Sequence, residues 1–324
     1  MRFAVLGAGA IGAYVGAALS RGGADVVLIA RGAHLEAMRR NGVRVLSPRG
    51  DFSAHPEATD DIGAVAGADC VVIGLKAYSL PELLPRIAPL LAPEACLLPA
   101  QNGVPWWFFQ GFDGPLAGSV LESVDPGGAI TAAIAPERVV GCVPYPAAEV
   151  AKPGVIRHVE GTRFAIGEPA GGESARCRAI REAFEAGGLK CGVEERIREQ
   201  LWLKLVGNVA FNPVTALTRA TLGQLGEVAE MVSVLRAVME EVTAVGSALG
   251  IELPVSIERR LEAGLEVGDH KTSMLQDLEA GKRLELDCLS GAVLEIAAKL
   301  GVPCPHVETV HACATLVDRL RPAA

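Results

Sequence analysis

One segment of this sequence combines apolar bulk with regularly spaced polar groups. From Glu199 to Pro213 it reads Glu199-Gln-Leu-Trp-Leu-Lys204-Leu-Val-Gly-Asn208-Val-Ala-Phe-Asn212-Pro213. A helix that is apolar nearly all round belongs in a protein interior. Lys204, Asn208 and Asn212 recur every four residues, and at about 100° per residue they share one helix face. A buried polar group needs a partner, and a lysine needs one most. Burial also disfavours the ammonium charge, which suits such a group to proton transfer. The alternative is a lysine snorkelling to water, with asparagines bonded to nearby backbone; the pattern weighs the two evenly. Pro213 kinks or ends the helix and disfavours the α conformation at Asn212, so the third member is placed less firmly.

A second constellation lies at the N-terminus. Arg2-Phe-Ala-Val-Leu6 reads as a buried strand and runs into Gly7-Ala8-Gly9-Ala10-Ile11-Gly12. In this spacing Gly7 allows a tight turn, Gly9 lets backbone approach a pyrophosphate, and Gly12 lets the next helix pack closely. The helix N-terminus then presents unpaired amides to the phosphates. The glycines alone are a weak signal, but a helix-like run to Arg21, Gly22-Gly23 and a second strand from Asp25 to Ala30 follow. Strand, turn, helix and strand within about thirty residues is the unit that the motif requires. An acid that would bind a ribose 2′-hydroxyl is missing at the end of the second strand, where Arg31 stands instead. A guanidinium there suits the 2′-phosphate of NADP(H). Glu36, the nearest acid, falls on the expected next helix and reads as solvated.

Positioning these groups takes two kinds of architecture. Cys70-Val-Val-Ile-Gly74 and Cys96-Leu-Leu-Pro-Ala100 read as further buried strands, with a short helix between Pro81 and Leu91 interrupted by Pro85 and Pro89. Lys76 and Asn102 follow the ends of those strands, where ligands bind in such sheets. Lys76 reads equally as a ligand contact or a solvated cation, whereas Asn102 favours a functional role over an ordinary turn. Residues 114–169 are rich in glycine and proline and read as further strands of the same domain, including Val155–His158 and Arg163–Ile166. A helix covers Glu173 to Ala186, and after about residue 195 the pattern is mostly helical. The expected division is therefore a Rossmann-type α/β domain over 1–195 and an all-α domain over 196–324. Between Thr272 and Asp287, polar residues including Ser273 and Glu285 stand twelve apart. That is roughly 120° around one continuous helix, so spacing alone does not unite them.

Composition excludes several function classes. Half of the 324 residues are apolar, 21% are charged, and the net charge is −8, with no basic run to hold nucleic acid. Eight scattered cysteines without a C-x-x-C pair argue against zinc or a disulfide framework and for a reducing cytoplasm. The 18 uncharged positions from Phe3 to Ser20 contain Gly7, Gly9, Gly12 and Gly16, which weaken a lone membrane or signal helix. No metal and no membrane are expected.

The quoted residues resemble the ketopantoate reductase (2-dehydropantoate 2-reductase) family over nearly the whole chain. The resemblance rests on Gly7–Gly12, Arg31, Leu75-Lys76-Ala77, Gln101-Asn102-Gly103, Glu199–Lys204, Asn208, Asn212-Pro213, Ser273–Asp277 and Glu285-Leu-Asp287. It implies NADPH-dependent reduction of 2-dehydropantoate to pantoate, for pantothenate and coenzyme A synthesis. Lys204 would be the general acid. Asn208 and Asn212 would orient lysine and substrate, Ser273 would hold the carboxylate, and Glu285 would fix the substrate. Asn102 would lie near nicotinamide and substrate with Lys76 beside it, in a cleft that closes over both ligands. A homodimer follows by analogy. Two departures stand out: Trp106-Trp107-Phe108-Phe109 after the asparagine motif, and Ser79 where a glutamine is common. The aromatics would either reshape the pocket for another 2-oxo acid or serve core packing or a subunit contact, the reading slightly favoured. The competing functions are a paralogous NADPH-dependent 2-oxo acid reductase and a non-catalytic NADPH-binding sensor.

Overall fold

The computed structural model describes residues 1–321, which form two compact units. One joins Met1–Gln101 to Gly127–Ile197, and the other joins Asn102–Pro126 to the chain from Arg198 onward. Among the described residues no helix is long and apolar enough to cross a membrane.

In the first unit the chain forms β1 (Arg2–Leu6), α1 (Ala10–Arg21), β2 (Asp25–Ile29), α2 (Gly32–Asn41), β3 (Val43–Leu46), β4 (Phe52–Ala54), β5 (Glu57–Thr59), β6 (Cys70–Ile73), α3 (Leu80–Ile87) and β7 (Cys96–Pro99). After the segment that belongs to the second unit come α4 (Ala129–Ala133), β8 (Gly141–Pro144), β9 (Ala147–Lys152), β10 (Val155–Glu160), β11 (Arg163–Gly167), α5 (Ala175–Ala186) and β12 (Lys190–Val193). The main sheet is parallel with order β5-β2-β1-β6-β7. Its inner strands are apolar on both faces, as helix-covered parallel strands must be: Phe3, Ala4, Val5, Val71 and Leu98 have no exposed surface. Leu97 bridges Val139, which leads from β7 towards the three-stranded sheet β12-β11-β8. This is the doubly wound dinucleotide-binding order, with its switch point where β1 separates β2 from β6. Strands β4-β3-β10-β9 make a separate small sheet.

The second unit is helical: α6 (Ile197–Thr218), α7 (Leu222–Gly226), α8 (Ala229–Ala248), α9 (Ile257–Leu265), α10 (Ser273–Glu279), α11 (Ala292–Leu300) and α12 (Pro305–Leu320). Helices α7, α9, α11 and α12 all pack against α8. Trp202 on α6 is fully buried, and its Nε1 donates to the Val242 carbonyl at 3.0 Å. Only a glycine fits opposite it on α8, since a Cβ at Gly246 would lie 2.3 Å from the indole nitrogen.

Three sequence expectations change. Residues 102–126, placed with the first domain, pack in the second unit as a run of turns. The aromatic block explains this, because four large rings need an apolar host that a glycine- and proline-rich loop lacks. Trp106, Trp107, Phe108 and Phe109 are 5%, 1%, 0% and 1% exposed, and Phe108 lies 5.6 Å from the Trp202 ring. Strands within 114–169 begin only at Gly141, and α4 precedes them. Pro213 does not end α6, which continues to Thr218. The Thr215 hydroxyl donates to the Asn212 carbonyl at 2.9 Å beyond the proline, and burial of Phe211, Val214 and Ala216 holds the last turns.

Candidate active site

The turn between β1 and α1 is built as its glycines foretell. Gly7 has φ +92°, which a glycine adopts readily. A Cβ on Gly12 would stand 2.2 Å from the Gly7 carbonyl, and one on Gly74 would stand 2.6 Å from the same oxygen. The loop, α1 and the end of β6 therefore touch backbone to backbone. A Cβ on Gly9 would meet nothing within 4 Å. Gly9 caps α1, which has no side-chain cap, so its first-turn amides are left for another acceptor. Three glycines, two crowded and one facing open space, fit a dinucleotide pyrophosphate at the helix N-terminus.

A cavity of about 590 Å³ opens beside this loop. Gly7, Ala8, Gly9 and Arg31 line it, together with His34, Asp60, Tyr78, Ser79, Glu82 and Arg86. Ala10, Ile11 and Gly12 form the first turn of α1 and are not among the lining residues. Lys76 adjoins the lining residue Leu75 and precedes a short 3-10 turn at Ala77–Ser79. Arg31 is the exposed N-cap of α2, with no acid in that helix's first turn. Glu36 is solvent-exposed and pairs with Arg39 at 3.2 Å, as expected. His34 is half-buried: its Nδ1 accepts the Gly154 amide at 3.0 Å, and burial lowers its pKa below the ordinary value.

The second unit holds the other constellation. Lys204 on α6 donates from Nζ to Asn102 Oδ1 at 2.7 Å. Lys204 is half-buried, and its ammonium has a partner on another segment. Asn102 is held in turn by its neighbours. Gly103 has φ +85°, and a Cβ there would lie 2.3 Å from the Cys288 carbonyl oxygen. The same oxygen accepts the Val104 amide at 2.7 Å. Cys288 sits in a π-helical turn at Asp287–Gly291, a widened turn often found at functional sites. Arg198 ties down the adjoining aromatic loop by donating to the Phe108 and Gln110 carbonyls, both at 2.7 Å. Its burial pushes the guanidinium pKa down to about 10.

Asn102 also lines a small recess with Asn212, Ser273, Met274, Asp277, Glu285 and Leu289. Asn212, Asp277 and Glu285 are 7%, 9% and 8% exposed. Four of the predicted residues thus meet: Asn102, Asn212, Ser273 and Glu285, with Lys204 joined through Asn102. Asn208 is half-buried on α6 and is not part of the recess lining. Ser273 and Glu285 do not share a continuous helix, because α10 ends at Glu279 and Gly281 turns the chain at φ +67°. Thr272 caps α10 and bonds the Thr215 hydroxyl at 2.6 Å, which fixes that turn to α6. Asp277 belongs to the motif that carries the resemblance but has no site role in the sequence, although its four-residue spacing from Ser273 is a usable signal. Nothing local marked Asp60, Glu82 or Arg86.

The recess gathers two amides, a hydroxyl and two carboxylates, and the Lys204 ammonium is bonded to one of those amides, that of Asn102. Comparison with known proteins agrees in both halves. The family described as "Ketopantoate reductase PanE/ApbA" matches residues 3–106, and "Ketopantoate reductase PanE/ApbA C terminal" matches residues 196–318. A 2-dehydropantoate 2-reductase of Mesorhizobium japonicum is 44% identical over 321 residues, 99% of this chain and 98% of that one. A crystal structure from Ralstonia solanacearum gives a TM-score of 0.93 at 38% identity, covering 100% of this chain and 99% of that one. A PanE/ApbA family ketopantoate reductase from Ralstonia eutropha gives 0.85 at 30%, covering 98% and 99%. With matches that span both units at this identity, the chain belongs to the ketopantoate reductase family.

Proposed function

We propose that this protein reduces 2-dehydropantoate to pantoate with NADPH, in the cytoplasm and as a homodimer. The observation that carries the reading is the Lys204 Nζ bond to Asn102 Oδ1 at 2.7 Å, with Asn102 also lining a recess that holds Ser273 and Glu285. Gly7 to Gly12 would hold the pyrophosphate, Arg31 the 2′-phosphate, and Lys76 and Asn102 the remainder of the cofactor. The cofactor supplies a hydride to the ketone carbon. The residues supply what the hydride cannot. Lys204 donates the proton to the oxygen that becomes the hydroxyl, and its charge stabilises that oxygen as negative charge develops. Asn102 orients the ammonium. Asn208 and Asn212 order the lysine face and the substrate, Ser273 binds the carboxylate, and Glu285 accepts from the substrate's hydroxyl.

A reductase of another 2-oxo acid remains the competing reading, but its main support has weakened. The aromatic block expected, on that reading, to shape a different pocket is packed into the second unit's interior around Trp202. Steady-state kinetics with NADPH and a panel of 2-oxo acids test the proposal. 2-Dehydropantoate is expected to give the highest kcat/KM by at least tenfold. A value no better than those of simple branched or aromatic 2-oxo acids would overturn it. A sensor without catalysis would show no turnover with any of them. Light scattering checks the dimer.

A further inference from the structure

Two arginines face the cavity beside the glycine loop, and the sequence motif accounts for only one. Arg86 lies on the last turn of α3. Ser79, Glu82, Leu83 and Arg86 all line the cavity, and their three- and four-residue spacing turns one face of that helix into its wall. Arg31 lines the same cavity from the end of β2. Both side chains are exposed, and among the described residues neither makes an ion pair or hydrogen bond. The cavity's acids do not neutralise them. Asp60 is committed to Arg39 at 3.0 Å. Glu82, one turn before Arg86, makes no ion pair with it. Most arginines of the first unit are spent on carboxylates, as in Arg39–Glu36, Arg163–Glu194 and Arg176–Glu168. Two guanidinium groups without carboxylate partners on one cavity mark a place for a multiply charged anion.

We propose that Arg86 is a second specificity-determining residue for the cofactor, closing with Arg31 on the 2′-phosphate so that one phosphate meets two guanidinium groups. The assignment rests on the NADPH reading above and deepens it. Glu82 then has the lesser task of accepting a ribose hydroxyl or the adenine amino group. In an NAD-binding cavity Glu82 would instead be the selecting residue, and Arg86 would be a bystander.

Adenosine 2′,5′-bisphosphate and 5′-AMP serve as probes, since they differ only by the phosphate in question. Their dissociation constants would be measured by calorimetry on the wild-type protein, Arg31→Ala, Arg86→Ala, Arg86→Lys and the double alanine variant. Arg86→Ala should weaken the bisphosphate at least tenfold and leave 5′-AMP within twofold. Arg86→Lys should recover part of the loss, and the double variant should fall below either single one. A preference for the bisphosphate that survives Arg86→Ala but not Arg31→Ala would overturn the role of Arg86 alone. A wild-type protein that binds both probes equally would overturn the NADPH reading as well. Arg86 is exposed on its helix, so its replacement should leave the thermal midpoint unchanged, which the same samples can report.

Discussion

Gly103→Ala separates site geometry from simple stability. The new Cβ would stand 2.3 Å from the Cys288 oxygen and 2.8 Å from its carbonyl carbon. Both are backbone atoms, so no flexible side chain can move aside, and the two segments must part by about 1 Å to reach ordinary contact. Holding a residue with a side chain at φ +85° adds roughly 1–3 kcal/mol, and the collision adds a similar overpacking cost. Asn102 is the next residue, and its bond to Lys204 is 2.7 Å long. A 1 Å displacement breaks that bond, and misplacing a catalytic group by this distance costs on the order of 10²-fold in rate. Gly111→Ala is the control, because that position also has positive φ, +59°, but a Cβ there meets nothing within 4 Å. Calorimetry and kcat/KM with 2-dehydropantoate would be measured for both variants. Gly103→Ala should melt lower than Gly111→Ala and lose about 10²-fold in kcat/KM, while Gly111→Ala keeps wild-type activity. If the two variants melt together and both stay within threefold of wild type, the pinning of Asn102 by Cys288 is not what aligns the site.

Two further outcomes follow from the first unit. Gly9→Ala should fold normally, because its Cβ meets no atom, yet lose cofactor binding as the methyl occupies the space for a pyrophosphate. Gly12→Ala should instead lose stability, with its Cβ 2.2 Å from the Gly7 oxygen; thermal melts and cofactor titration would show the opposite ordering if the loop were misread. Stability should also fall with acid through His34, whose burial lowers its pKa from 6.5. The unfolded chain takes up the proton first, so the loss begins as pH drops through the unfolded value and ends at the lower folded one. Above that window the contribution is unchanged. His34→Gln should flatten this part of the pH–stability curve, and a variant curve parallel to wild type would remove His34 as its cause.

Local rules made some elements readable and hid others. The β1–α1–β2 unit was legible because its glycines, its apolar strand and the switch in period lie within about thirty residues. The face of Lys204, Asn208 and Asn212 was legible for the same reason, but the lysine's partner was not, since Asn102 comes from a segment 102 positions away. Pro213 misled because a buried helix tolerates a missing amide when packing holds the turns on either side. Ser273 and Glu285 could not be united by helix arithmetic, because the break at Gly281 decides their meeting. The loop carrying Trp106 to Phe109 went to the wrong domain because its neighbours in sequence say nothing of Trp202, the ring it packs against. Arg86 had no local mark at all; only its place on the face of α3 that lines the cavity singles it out.

The central claim is that the Lys204 ammonium delivers the proton as the ketone is reduced. Single-turnover oxidation of NADPH, followed at its near-ultraviolet absorbance with saturating 2-dehydropantoate, tests this on Lys204→Ala. General acid catalysis of this kind is worth about 10²–10⁴-fold. The account predicts a loss in that range in the hydride-transfer rate, with the dissociation constant for NADPH within twofold of wild type. A variant that transfers hydride within threefold of the wild-type rate would contradict it.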